Sequence, residues 1–142
     1  MSLASHLKVS KQPLLPSIAL LALRVVVGLA FMRHGWGKIQ HPFNWMGDSA
    51  TTPGILQALA ALSEFGGGFG FIVGLFVPLA AFGIACTMGF AVFTHMIIKG
   101  DPFMAMGGSS YELAAVYFCV ALVLLTLGPG KISADRIVFG DH

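Results

Sequence analysis

Two ionisable residues stand inside long apolar runs: Arg24, in the run that follows Pro16, and Glu64, in the run that follows Pro53. A charged side chain at the centre of a bilayer costs about 2.5–3.5 kcal/mol even on the lenient insertion scale, so each needs a partner. At about 1.5 Å per residue, Arg24 lies roughly 10 Å from one membrane face. Glu64 starts from the other face and lies about 15 Å in. In a slab of about 30 Å these depths differ by roughly 5 Å, which an arginine side chain can span. The expectation is a buried Arg24–Glu64 ion pair. Such a pair either fixes helix register or tunes Glu64 as a working carboxylate; the remaining alternative is that the two do not meet.

A second set gathers by depth at the opposite end. His34 closes the first run, His95 nears the end of the third, and Tyr111 and Glu112 open the fourth. With Glu64 as its floor, the set His34, Glu64, His95, Tyr111 and Glu112 is the candidate ligand site. Imidazole and carboxylate at one level can relay protons or hydrogen-bond a quinone head. The competing reading places these amphipathic side chains at the head-group level with no ligand. No His-Glu-x-x-His spacing occurs, so no metal site is expected, and no residue is assigned a catalytic role. Met104 and Met106 could form a soft lid over the site. Cys86 and Cys119 stand alone in apolar surroundings and read as packing residues, with a redox pair as the alternative.

The elements that must position these groups follow from composition. The chain has 142 residues, 56% hydrophobic and 10% charged. Its mean hydropathy is +0.85. So few charges cannot cover a soluble surface of this size, and disordered chains are polar and charged. The formal net charge of +2, with no basic cluster, excludes a nucleic-acid footprint. The apolar runs are continuous rather than alternating, which excludes a barrel. The expectation is an all-α membrane protein, an antiparallel four-helix transmembrane bundle in one domain. Its spans fall at about 17–39, 54–76, 79–98 and 111–127. Arg24, Gly28, Phe31 and Gly35 share a helix face, and Gly66, Gly70 and Gly74 form a small-residue stripe for close approach. The stripe lies opposite Glu64, so it meets either a neighbouring helix or a second protomer. Lys8, Lys11, Lys131 and Arg136 lie on the side of the termini, against Arg33, Lys38 and Lys99 on the other. The positive-inside rule then puts both termini in the cytoplasm.

Three motifs line up with a family. Arg24-x-x-x-Gly28-x-x-Phe31-x-x-His34-Gly35-x-x-Lys38 resembles the first-helix signature of the DoxX family. Glu64-Phe-Gly-Gly-Gly resembles its Glu-x-x-Gly-Gly segment. Gly128-Pro129-Gly130-Lys131-Ile132-Ser133-Ala134-Asp135 resembles its closing motif, with lysine in place of the usual arginine. The likeness extends over about residues 17–137. It implies a small multi-pass protein of the bacterial inner membrane. Family members are associated with membrane oxidoreductase systems, among them a thiosulfate:quinone oxidoreductase and a complex of thiol redox balance.

Three functions stay open. The first is a membrane subunit or anchor of a quinone- or thiol-linked redox system, with no intrinsic cofactor and quinone as the candidate ligand. The others are a small proton-linked permease and a non-catalytic assembly scaffold. The expected partners are the lipid bilayer, a soluble redox protein and a second copy of the chain, and no nucleic acid.

Overall fold

The computed structural model describes residues 9–140. Lys8, counted above on the side of the termini, lies outside the described residues. Helix α1 spans Leu14–Gln40, α2 Gly54–Val73, α3 Val77–Phe93, α4 Glu112–Leu127 and the short α5 Ala134–Phe139. No β-strand occurs among the described residues. Helices α1 and α2, and α3 with the π-helical turn Thr94–Ile98 that prolongs it, are long and apolar enough to cross a membrane. Helix α4 is apolar but has 16 residues, about 24 Å of rise.

Proline and glycine set the boundaries. Pro13 precedes α1 and Pro53 precedes α2, where the missing N–H is no loss. Helix α2 ends on Gly74 in the left-handed region, at φ 76°. Phe76, at φ 51°, is the one non-glycine residue with positive φ among those described. It sits in the tight α2–α3 turn, followed by Pro78 in the first turn of α3.

Helix α1 packs on α2, α2 on α3, and α3 on α4. The α1–α2 seam is glycine against glycine. A Cβ on Gly28 would stand 2.6 Å from the Gly68 carbonyl oxygen, and one on Gly35 2.6 Å from the Phe65 nitrogen. Lipid offers apolar side chains no worse a home than a helix neighbour does, so close backbone approach is what holds such a seam. In the same way Gly67 meets Ile84 and Ala80, and Gly83 meets Ser63, between α2 and α3. A compact core of Phe31, Phe71, Ile84, Ala85, Met88, Ala121 and Leu124 lies between the helices. Leu59, Leu62, Phe69, Leu79, Phe82 and Phe90 point outward, as the lipid-facing side of a membrane protein requires.

Candidate functional site

The seam fixes which polar residues meet. Gly28 opposes Gly68 and Gly35 opposes Phe65, so numbers fall along α2 as they rise along α1. In that register Arg24 comes level with Gly74, and Glu64 with the last turn but one of α1. The expected Arg24–Glu64 pair does not form. Instead Lys38 Nζ donates to Glu64 Oε1 at 2.7 Å. Counting depth from one flat face sets the end of α1 level with the start of α2. In the structure the first turns of α2 rise beyond the end of α1 at Gln40, which displaces Glu64 from Arg24 by about ten residues, or roughly 15 Å.

Two polar centres result. At one end the Arg24 side chain, wholly buried, donates through Nη2 to the Ile132 carbonyl. Asp135, also wholly buried, lies near enough to act on it electrostatically. The Asp135 carboxylate accepts from the backbone N–H of Phe76 at 2.6 Å and of Val77 at 2.9 Å. Its own N–H donates to the Gly74 carbonyl at 2.8 Å. Burial pushes the Asp135 carboxyl above its ordinary value, against the opposing pull of the Val77 and Phe76 N–H groups and of Arg24. The closing motif thus becomes a clasp. The Lys131 N–H donates to Ser17 Oγ at 3.1 Å, and Ser133 Oγ accepts from the Arg136 N–H as the cap of α5. Gly74 must be glycine twice over, for its φ and because a Cβ there would run into Arg24 and Ser133.

The second centre lies at the other end. Glu64 is 2% exposed, and its second oxygen, Oε2, is buried without a hydrogen-bond partner. Lys38 Nζ also lies 4.4 Å from the centre of the Trp45 ring, an attractive cation–π placement. The 41–53 loop is folded over this corner by a buried glutamine. Trp45 Nε1 donates to the Gln57 carbonyl at 2.8 Å, the Met46 N–H donates to Gln57 Oε1 at 3.0 Å, and Gln57 Nε2 donates to the Thr52 carbonyl at 2.9 Å.

These groups head a groove of about 1000 Å³ between α2 and α3. Lys38, Trp45, Thr52, Gln57, Glu64, Thr94, His95 and Lys99 are its polar members, with Ser63, Cys86 and Thr87 along the walls. Leu59, Leu62, Phe69, Leu79, Phe82 and Phe90 make up much of the rest, so the groove opens onto the outward apolar surface. His95 sits on the π-helical turn, with Nδ1 2.6 Å from Asp101 Oδ2. Thr94 Oγ1 is buried there without a partner.

Of the five expected ligand residues, Glu64 and His95 share this groove and the other three stand elsewhere. His34 is exposed, edge-on to Tyr117 at 6.4 Å. Tyr111 precedes α4 with its ring 5.4 Å from Phe103, and the Glu112 N–H donates to the Phe103 carbonyl. The cavity therefore lies between α2 and α3 rather than among the first, third and fourth spans. Met104 and Met106 are exposed and do not line it. The glycine stripe also divides: Gly66 meets only Leu62 of its own helix, Gly70 faces the α2–α3 turn, and Gly68 carries the contact with Gly28. Cys86 and Cys119 are free thiols. Among the described residues no group of three or more His, Cys, Asp or Glu is placed to hold a metal ion. Depth counting missed Lys38, Trp45 and Gln57. An aromatic and a glutamine flanking a polar loop were the available signal.

The DoxX family model matches residues 19–96, which include the first two motifs and stop short of the clasp. A Haemophilus influenzae protein described as "Uncharacterized protein" is 30% identical over 119 residues, 82% of this chain and 88% of that protein. Escherichia coli inner membrane protein YqjF is 27% identical over 130 residues, 87% of this chain and 95% of that protein. No solved structure matches the chain.

Proposed function

The chain belongs to the DoxX family, and from that premise we propose that it is a membrane component of a quinone-linked redox system, with the α2–α3 groove taking the quinone head. The observation that carries this reading is the groove itself. It has apolar walls open to the outward surface and a polar head formed by Lys38, Glu64, Gln57 and His95. Few convergent polar groups in an apolar cleft are the usual form of a small-ligand site. A bound quinone would supply the electron and proton exchange with a soluble redox partner. The chain's own residues bind and orient. The Lys38 ammonium has three N–H donors and gives one to Glu64, leaving donors for a ring oxygen. His95, held by Asp101, stands at the groove where a proton can pass to water.

The reading takes the chain as an antiparallel four-helix bundle of the bacterial inner membrane, with α4 as the fourth span and both termini cytoplasmic. Lys11, Lys131 and Arg136 support that orientation, and the groove head then faces the periplasm. Purification in mild detergent, solvent extraction and mass spectrometry test the function. A lipid-soluble quinone should co-purify with the wild type and be lost from Lys38→Met. Protein that carries no quinone and retains no soluble redox partner would refute it. Reporter fusions after Ile98 and after Lys131 should read periplasm and cytoplasm respectively.

A second reading, an assembly scaffold without chemistry, is favoured by the clasp, whose bonds all serve architecture. Unchanged activity of the host redox pathway on substituting both Glu64 and His95 would select it.

A further inference from the structure

We propose that the groove is built for the hydroxylated, reduced form of its ring, and binds a quinol in preference to the corresponding quinone. This rests on the quinone reading above and specifies the redox state that the site recognises. Glu64 Oε2 belongs to a side chain 2% exposed that lines the groove, and it has no hydrogen-bond partner. Its sister oxygen is already taken by Lys38 at 2.7 Å. An ionised carboxylate accepts hydrogen bonds and donates none. A buried acceptor left unpaired is costly, and most so when charged. The ligand that relieves it must bring a donor. A quinone presents only carbonyl acceptors to Oε2, so lone pair would face lone pair. A quinol presents O–H. Of the two buried groove atoms without a partner, Glu64 Oε2 and Thr94 Oγ1, only the first is an acceptor alone. Lys38 donates to the oxygen of either form, and the unpartnered Thr94 hydroxyl can donate or accept. Glu64 Oε2 is therefore the residue atom that tells the two oxidation states apart.

The test is equilibrium binding of a short-chain ubiquinol and of the matching ubiquinone to purified protein in phosphatidylcholine nanodiscs, whose head groups carry no hydroxyl donor. Trp fluorescence is the readout, since Trp45 lines the groove head. The quinol should bind about tenfold more tightly or better, the scale set by one unpaired buried acceptor. Glu64→Gln, whose amide both donates and accepts, should bring the two forms within about threefold while keeping the helical circular dichroism. The dimethyl ether of the quinol, which has lost its O–H groups, should bind no better than the quinone. Equal binding of quinol and quinone to the wild type overturns the redox-state preference and leaves the quinone site standing. A quinol preference that Glu64→Gln leaves intact removes Glu64 as its source and overturns the proposal in that form. Failure of both forms to bind overturns the quinone reading itself, and this inference with it.

Discussion

The α1–α2 seam gives a prediction whose size can be worked from distances. Gly28→Ala would place a Cβ 2.6 Å from the Gly68 oxygen and 2.8 Å from Ile72 Cγ1, where ordinary contact begins at 3.4 Å. The oxygen belongs to backbone, so the helices must separate by several tenths of an ångström. Gly→Ala in a helix also brings a gain of up to about 1 kcal/mol in propensity, which would mask a modest clash. Gly37→Ala supplies the control. Gly37 lies in the same helix, and a Cβ there meets nothing within 4 Å. The propensity gain is common to both variants and cancels in their difference. What remains is the overpacking cost, about 1–3 kcal/mol, to the detriment of Gly28→Ala. The assay is unfolding in mixed micelles of rising SDS fraction, followed by circular dichroism. Separation of the seam also pulls Lys38 from Glu64, so the loss should be partly shared with that pair. Equal stability of the two variants would refute the register on which the rest of the site depends.

Lys38→Met leaves the Glu64 carboxylate buried without its cation and should cost about 3–5 kcal/mol. The Lys38→Met, Glu64→Gln double variant should recover much of that loss, and a double variant less stable than Lys38→Met alone would break the argument. Asp135→Ala orphans the Phe76 and Val77 N–H groups, at about 1–3 kcal/mol each. It also releases the left-handed turn at Phe76. Asp135→Asn keeps one acceptor and should cost less; the two variants are compared by the same unfolding assay. The Asp135 carboxyl is raised above its ordinary value by burial. Its contribution to stability is therefore full below the unfolded-state value and is lost as pH rises through the folded one. The stability advantage of the wild type over Asp135→Asn should shrink as pH rises from the ordinary carboxylate range, then level off. An advantage that grows over that window would contradict the direction.

The helices were legible in the sequence because continuous apolar runs and proline or glycine punctuation are local signals. Pro13, Pro53 and Gly128 mark their boundaries within a few residues. The partners were less legible because they depend on how far one helix slides along another. Counting depth from helix ends put Arg24 beside Glu64. The slide is set by Gly28 against Gly68, a contact between two residues with no side chain to announce it. The same slide brings Lys38 down to Glu64. His34, Tyr111 and Glu112 shared a depth with the groove but not an azimuth around it. The closing motif was recognisable as a pattern, yet its chemistry depends on Ser17, Arg24 and Gly74, residues far away along the chain.

The clasp also orders events in time. Arg24 enters the bilayer with the first helix, and its carbonyl acceptor lies 108 residues further along the chain. Until the ribosome has delivered Ile132 and Asp135, the guanidinium has neither its acceptor nor its counter-charge, and the turn at Phe76 has no carboxylate to hold it. The nascent chain must therefore tolerate or shelter an unpaired cation over those 108 residues, and this end of the structure closes only when α5 is in place. A chain that stops before Ile132 leaves the Arg24 guanidinium without the carbonyl that the folded chain gives it.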